Sequence, residues 1–298
     1  MLRRTFLGLC GLCWWLPKVA KAGDKASSSQ NSEPYQYVFE RGNGVWWMCQ
    51  LTESPLSLFR PTATQDRFLR AMARGDWDEC GAHGLSRSGT TVAMAVWFAS
   101  MVLDQPVIMR NGDRLHMRPR RWAGQELTCW AVGYDCRHIG KVMYRALFET
   151  GLFQIIRGEN GWEIYRPDNP EHRHRKADRI PAPPLISGRD IIPVSWSWES
   201  RKDFVPRSVR MKGDGTKIVF HQSTRDIPAG DPIHAVWIDQ KLSRDADYAE
   251  LLIRTVDHDG YVVWSYNRNS DSPSFASLCE RATRSNSAIV HRFNVSQG

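Results

Sequence analysis

The stretch Gly84-Leu-Ser86-Arg87-Ser88-Gly89-Thr90-Thr91, running straight into Val92–Leu103 (VAMAVWFASMVL), decides how the rest of the chain is read. A phosphate-binding loop needs glycines so that successive backbone N–H groups can converge on an anion. It also needs a helix N-terminus behind them, whose dipole favours negative charge. The octet has the G-x-x-x-x-G frame, and Thr91 places a hydroxyl where such loops ligate Mg²⁺. Thr90 stands where the loop lysine belongs. The segment behind the loop is Ala-rich and free of Gly and Pro, which predicts a buried helix. Taken alone, the octet reads better as a turn followed by an N-cap, because Ser and Thr are ordinary caps.

Elements further along shift that balance. Ile233-His-Ala-Val-Trp-Ile238-Asp239-Gln240 is an apolar strand ending in an acid, the form of a Walker B strand whose aspartate holds Mg²⁺ through water. The next residue is usually a glutamate that activates the attacking water; Gln240 can orient a water but cannot accept its proton. By itself Asp239 reads better as a strand-terminal turn residue. A further apolar strand follows at Tyr261–Ser265, with others at 127–134 and at Lys217–His221. Helical spacing marks Gln65 to Arg74, His138–Glu149 and Tyr248–Val256. Apolar strands separated by helices predict an α/β fold, with a mainly parallel sheet covered by helices on both faces. Residues 166–190, with five prolines and little apolar content, read as an exposed loop or hinge. His172 and His174, inside the run Glu171–Lys176, read as part of a solvated basic loop rather than as a ligand pair.

The order of these motifs resembles the P-loop ATPase domain of the large terminase subunit of tailed bacteriophages, the motor that packages DNA into proheads. Five blocks between about residue 55 and 298 carry the resemblance. Phe59–Leu69, with Gln65, looks like the family's adenine-reading glutamine segment. Gly84–Thr91 looks like its Gly-x-Asn-Arg-x-Gly-Lys-Thr loop. Trp130–Gly140 with Leu147-Phe148 looks like the next strand and helix. Gly230–Asp239 with Glu250–Arg254 is similar to the Walker B block, and Gly260–Ser265 to the coupling strand. The resemblance implies ATP bound by Gln65, Gly84, Ser86, Arg87, Ser88, Gly89, Thr90 and Thr91, with Mg²⁺ held by Thr91 and Asp239. Catalysis would fall to Arg87, Asp239 and Gln240. It further implies double-stranded DNA, the portal protein and the small terminase subunit as partners, a homo-oligomer on the portal, and the host cytoplasm as location. The departures bear on chemistry: Thr90 for the lysine, Gln240 for the glutamate, and Ser265-Tyr-Asn-Arg where the family has Ser/Thr-x-Thr-Pro. Arg87 is a stand-in for the lysine or a purely structural arginine. Residues 35–298 are expected to form the ATPase-like domain, with no room for the family's nuclease domain. Two functional readings stay open: a weakened packaging motor, and a nucleotide-binding pseudoenzyme or scaffold in virion assembly.

Composition constrains these readings without choosing between them. The chain has 298 residues, 42% hydrophobic and 24% charged, with a formal charge of +8. That excludes a disordered polymer, a fibre and a polytopic membrane protein. Half of the charge comes from Arg3, Arg4, Lys18 and Lys21, leaving a mild basic bias elsewhere. Residues 1–22, with paired arginines, an apolar run Phe6–Leu16 and Ala20-Lys21-Ala22, resemble a twin-arginine export signal; 23–34 is a polar linker. The apolar run has 11 residues, too short to span the ~30 Å of bilayer hydrocarbon, which takes about 20. The leader supports a third reading, an exported protein, and conflicts with a motor that needs cytoplasmic ATP. Five cysteines beyond the leader at scattered spacings argue against a disulfide framework. Arg110, Arg114, Arg118, Arg120 and Arg121, crowded into one stretch, are either DNA contacts or a solvated loop.

Overall fold

The computed structural model describes residues 36–42, 45–51, 54–85, 88–159, 161–228, 230–267 and 272–293, the first two segments as backbone alone. The leader at 1–22, and Ser86 and Arg87 in the loop, lie outside the described residues. The described residues start with a hairpin of β1 (Gln36–Gly42) and β2 (Val45–Leu51), then α1 (Pro55–Leu58), α2 (Ala63–Arg74), β3 (Glu79–Gly84) and α3 (Thr90–Leu103). A short pair, β4 (Val107–Ile108) and β5 (Arg114–Leu115), leads to β6 (Thr128–Gly133). One helical stretch follows, made of α4 (Cys136–His138), a π-turn at Ile139–Tyr144, and α5 (Arg145–Phe148). Next come β7 (Gln154–Gly158), β8 (Gly161–Ile164), α6 (Pro170–His174), β9 (Ile180–Pro181), β10 (Ser197–Ser200), β11 (Val205–Arg210) and β12 (Lys217–Gln222). The chain closes through β13 (Ala235–Asp239), α7 (Asp245–Thr255), β14 (Tyr261–Asn267), α8 (Pro273–Arg284) and β15 (Ala288–Phe293).

Eight strands form the main sheet in the order β10-β11-β12-β6-β13-β14-β3-β15. The six from β12 to β15 are parallel. β10 and β11 add an antiparallel margin. This is the α/β fold with a mainly parallel sheet that the apolar strands predict. The most apolar runs, β6, β13 and β14, are the adjacent central strands, where both faces must be apolar.

Side chains along these strands alternate between two separate cores. On β13, Ala235 and Trp237 join the cluster that contains α3, while Val236 and Ile238 join the one containing Tyr248 and Leu251 of α7 and Phe275 and Leu278 of α8. On β14, Tyr261 and Val263 take the first side, Val262 and Trp264 the second. The strand period of two thus builds a three-layer molecule from one sheet. α3 is buried at every residue from Ala93 to Val102, as a helix apolar all round must be.

A helix so enclosed has its polar problem at its ends. The last turn of α3 leaves carbonyls without intrahelical partners, and Arg118 answers them. Its Nε donates to the Met101 carbonyl at 2.8 Å, Nη2 donates to the Val102 carbonyl at 2.7 Å, and Nη1 pairs with Asp214. Arg118 is 5% exposed, so it is a structural strut and not a phosphate contact. Arg121 is also occupied, lying over the Trp122 and Tyr261 rings and pairing with Asp259. Arg114 and Arg120 remain solvent-facing, with no ion pair among the described residues.

Three local readings change. The helix expected over His138–Glu149 spans Cys136–Phe148 and carries the π-turn. The proline-rich stretch holds α6 and β9 rather than only loop. His172 is 4% exposed and accepts the Arg166 backbone N–H at 3.0 Å, which makes it part of the fold; His174 is exposed. Among the described residues no helix is long and apolar enough to cross a membrane.

Two outcomes follow. Arg118→Ala strands Asp214 and two helix carbonyls, and breaking a buried pair costs about 3–5 kcal/mol; Arg118→Lys recovers little, because an ammonium cannot fork to the three acceptors. The midpoint of urea unfolding reads both. Acid is the second test. Burial first, and Arg254 second, lower His221 to about 4; burial first, and His258 second, do the same to His234. Each is neutral in the fold and takes its proton near pH 6.5 once unfolded. Their contribution is therefore complete above about 6.5 and is lost as pH falls from there to about 4. His221→Phe, which keeps a ring against Trp130, should flatten that part of the stability curve.

Candidate functional site

Strand register brings the site residues level. Asp239 pairs across to Gly133 on one side and Ser265 on the other, and Asn267 pairs with Gly84. The loop after β3, the end of β13 and the end of β14 therefore meet at the C-terminal edge of the sheet, where open α/β sheets form their crevices. There Gly84, Ser88, Gly89, Thr90, Thr91, Asp239, Gln240 and Ser265 line a cavity of about 240 Å³.

The loop itself is shaped by close approach. A Cβ on Gly84 would lie 2.8 Å from Phe293 Cβ, and Gly89 sits at φ 81°, in the left-handed region. Gly89 is the N-cap of α3 and offers no side-chain cap, so the first-turn N–H groups face the cavity side without a capping partner. The Ser88 and Thr90 hydroxyls bond each other at 2.8 Å. The Thr91 side chain has no hydrogen-bond partner among the described residues.

Gln65 lies beneath the loop. It closes a capping box at the start of α2: its backbone N–H donates to Thr62 Oγ1 and its Oε1 accepts the Thr62 backbone N–H at 2.9 Å. Its Nε2 then donates to the Gly89 carbonyl at 3.1 Å. Both ends of the amide are used to fix the loop on α2, and Gln65 does not line the cavity.

Asp239 is 1% exposed, and a buried carboxylate needs partners. It has two. Ser265 Oγ donates to Oδ1, and His138 Nε2 lies 2.7 Å from Oδ2. Trp237 Nε1 in turn donates to Ser265 Oγ at 3.2 Å, which orients that hydroxyl. His138 reaches Asp239 because Gly133 leaves room: a Cβ there would lie 3.2 Å from His138 Cδ2. Gln240 follows at φ 73°, a conformation that strains a residue with a side chain. Two strand contacts hold it there: its N–H donates to the Ser265 carbonyl at 2.9 Å, and Trp264 Nε1 donates to its carbonyl at 2.5 Å.

The fold thus gathers Gly84, Ser88, Gly89, Thr90, Thr91, Asp239 and Gln240 around one cavity and holds Gln65 behind it. Sequence reading missed His138 and the Ser265 hydroxyl as partners of Asp239. The clue to His138 is its place five residues after Gly133, at the end of the strand beside β13. The donor set suits a hard cation: one free hydroxyl and a carboxylate with further lone pairs on each oxygen. Among the described residues no group of three His, Cys, Asp or Glu side chains could hold a metal unaided. A Mg²⁺ here would draw most of its ligands from phosphate and water, as Mg²⁺ usually does.

No protein-family model matches the sequence, and no curated protein matches it. Among solved structures, the large terminase of a thermophilic bacteriophage is similar in fold. One crystal form has a TM-score of 0.40 at 11% identity, and another 0.40 at 12%. A third structure, in complex with ADP, has a TM-score of 0.41 at 12% identity. Each alignment covers 78% of this chain and 45% of the terminase, so the chain spans less than half the length of those proteins.

Removing the carboxylate tests the network. Asp239→Ala removes the partner of His138 and leaves Ser265 Oγ with the Ile238 carbonyl alone, and should cost about 1–3 kcal/mol in urea unfolding. Asp239→Asn, which keeps one acceptor, should cost less.

Proposed function

We propose that the cavity binds the phosphates of ATP with Mg²⁺, and that the chain is a terminase-like ATPase domain whose hydrolysis is slow or absent. The observation that carries this reading is the convergence of the uncapped N-terminus of α3, the free Thr91 hydroxyl and the Asp239–Gln240 strand end on one cavity. Helix N–H groups and their dipole recognise an anion. Thr91 and Asp239 would hold the cation, which neutralises phosphate charge when bound. Gln65 acts through the Gly89 carbonyl by fixing the loop. His138 does not line the cavity and acts through Asp239, as a positioning residue.

The same residues limit turnover. A general base typically contributes about 10²–10⁴-fold, and Gln240 can orient a water without taking its proton. Thr90 brings no positive charge to the developing phosphoryl charge. Double-stranded DNA, a portal and a small terminase subunit as partners, and assembly as a homo-oligomer in the host cytoplasm, belong to this reading through the sequence resemblance. The pseudoenzyme reading differs only in turnover, and the motor reading requires that DNA stimulate it.

Titration with a fluorescent ATP analogue, with and without Mg²⁺, addresses binding. Thr91→Ala should remove the Mg²⁺-dependent part of the affinity and leave the metal-free part. Arg87→Ala should abolish binding if that guanidinium replaces the lysine; unchanged affinity would make it structural. Steady-state phosphate release with DNA addresses turnover. Thr90→Lys with Gln240→Glu should raise it by about tenfold or more over the native chain, and fast DNA-stimulated release by the native chain would return it to the working motors. No nucleotide binding under any condition would end the proposal.

A further inference from the structure

The π-turn at Ile139–Tyr144 packs against the tight turn Arg201–Phe204 that joins β10 to β11. The two backbones nearly touch: a Cβ on Gly140 would lie 2.7 Å from the Asp203 carbonyl oxygen and 3.3 Å from that of Phe204. π-turns inside helices are rare and concentrate at functional sites. Phe204 is held at φ 55°, a left-handed backbone that a bulky side chain resists, yet the residue is 52% exposed. Burial does not account for a phenylalanine there, since glycine or asparagine would relieve the backbone.

The ring is not loose. It stacks on Tyr144, with centroids 5.7 Å apart and planes at 27°. Tyr144 contacts Trp198 at 5.9 Å and Trp196 at 6.1 Å, and these two indoles stack at 4.8 Å and 19°. Phe204 is thus the outermost ring of a supported aromatic stack. Beside it is a cavity of about 610 Å³, lined by Arg137, Lys141, Arg145, Asp203 and Phe204 among others. Arg137 and Lys141 are exposed and have no ion-pair partner among the described residues, and the same holds for Arg201 and Lys202 in the turn. Arg145 is held by Glu149 at 2.8 Å. Of the acids nearby, Asp203 accepts the Ser200 hydroxyl at 2.6 Å, and Glu199 is held by Arg207 and Arg225. Unpaired positive charge therefore dominates the rim.

We propose that this surface binds single-stranded nucleic acid, with Phe204 as the stacking platform for a base and Arg137 and Lys141 as contacts to the flanking phosphates. A fixed, exposed π-face next to unpaired cations is what an unstacked base and its phosphates require. A duplex keeps its base faces covered by neighbouring base pairs, so it would use only the cations. The site is separate from the phosphate-loop cavity and shares none of its lining residues.

The test is fluorescence anisotropy of the full chain with a fluorescein-labelled twelve-nucleotide oligo-dT at low salt, in the presence of excess ATP. The expected result is saturable binding that Phe204→Ala weakens by about fivefold or more and Phe204→Trp preserves. Two phosphate contacts give a log–log salt slope of about −1.4, which Arg137→Ala with Lys141→Ala should flatten. Relief of the strained backbone in Phe204→Gly keeps the test valid should the alanine variant unfold: it should lose binding while keeping its unfolding midpoint. Absence of oligo-dT binding, equal affinity for Phe204→Ala and the native chain, or equally tight binding of a duplex with the same sensitivity to Phe204, would each overturn the proposal.

Discussion

Enclosing α3 on every side is the constraint from which the rest of the architecture follows. A helix with no polar face can satisfy its terminal backbone groups only at its two ends. One end reaches the N-terminal side of the sheet, where a buried guanidinium from a distant loop takes its carbonyls and is itself neutralised by Asp214. The other end emerges at the crevice with its N–H groups uncapped. The division is asymmetric: the end that could be closed is closed, and the open end coincides with the cavity. Asp214 shows the balance at the closed end. Burial pushes its carboxyl up, but hydrogen bonds from Thr216 and Arg118 outweigh that and leave it below the ordinary value.

At the open end the protein treats the buried Asp239 as a structural group. Asp239 receives a hydroxyl and an imidazole, and an indole aligns that hydroxyl. Such an arrangement holds the carboxylate in one orientation and leaves it lone pairs directed elsewhere. The neighbouring Gln240 is held in a strained backbone conformation by the two strands it joins, the kind of strain that surrounding structure must enforce. Gln240 cannot take a proton and Thr90 brings no charge, while the first-turn N–H groups of α3 have no side-chain cap.

Much of the fold was legible because β6, β13 and β14 are buried on both faces and read as continuous apolar runs, and because α3 has no polar stripe. β3 was not legible as a strand: Glu79-Cys-Gly-Ala-His-Gly84 has little apolar content. Its first acid is held by Arg281 and the Tyr248 hydroxyl, partners some 170 to 200 residues away. The site was legible where it depends on local order, as in Gly84 to Thr91, and opaque where it depends on register. The position of His138 after Gly133 becomes informative only once the parallel ladder sets Gly133 level with Asp239. The arginine-rich stretch misled for a similar reason. Charge density along the chain cannot separate Arg118, a buried strut, from Arg114, which faces solvent.

The alternation along β13 and β14 has an optical consequence. Trp237 and Trp264 are both fully buried and stand on adjacent strands, but they face opposite sides of the sheet. The first looks into the layer of the loop helix, and the second into the layer of α7 and α8. The buried indoles therefore divide between the two sides of the sheet, Trp77, Trp97, Trp122 and Trp237 on one and Trp130 and Trp264 on the other. A disturbance that enters through the crevice helix and one that enters through the outer helices would be told apart by which of the two groups of indoles changes its emission.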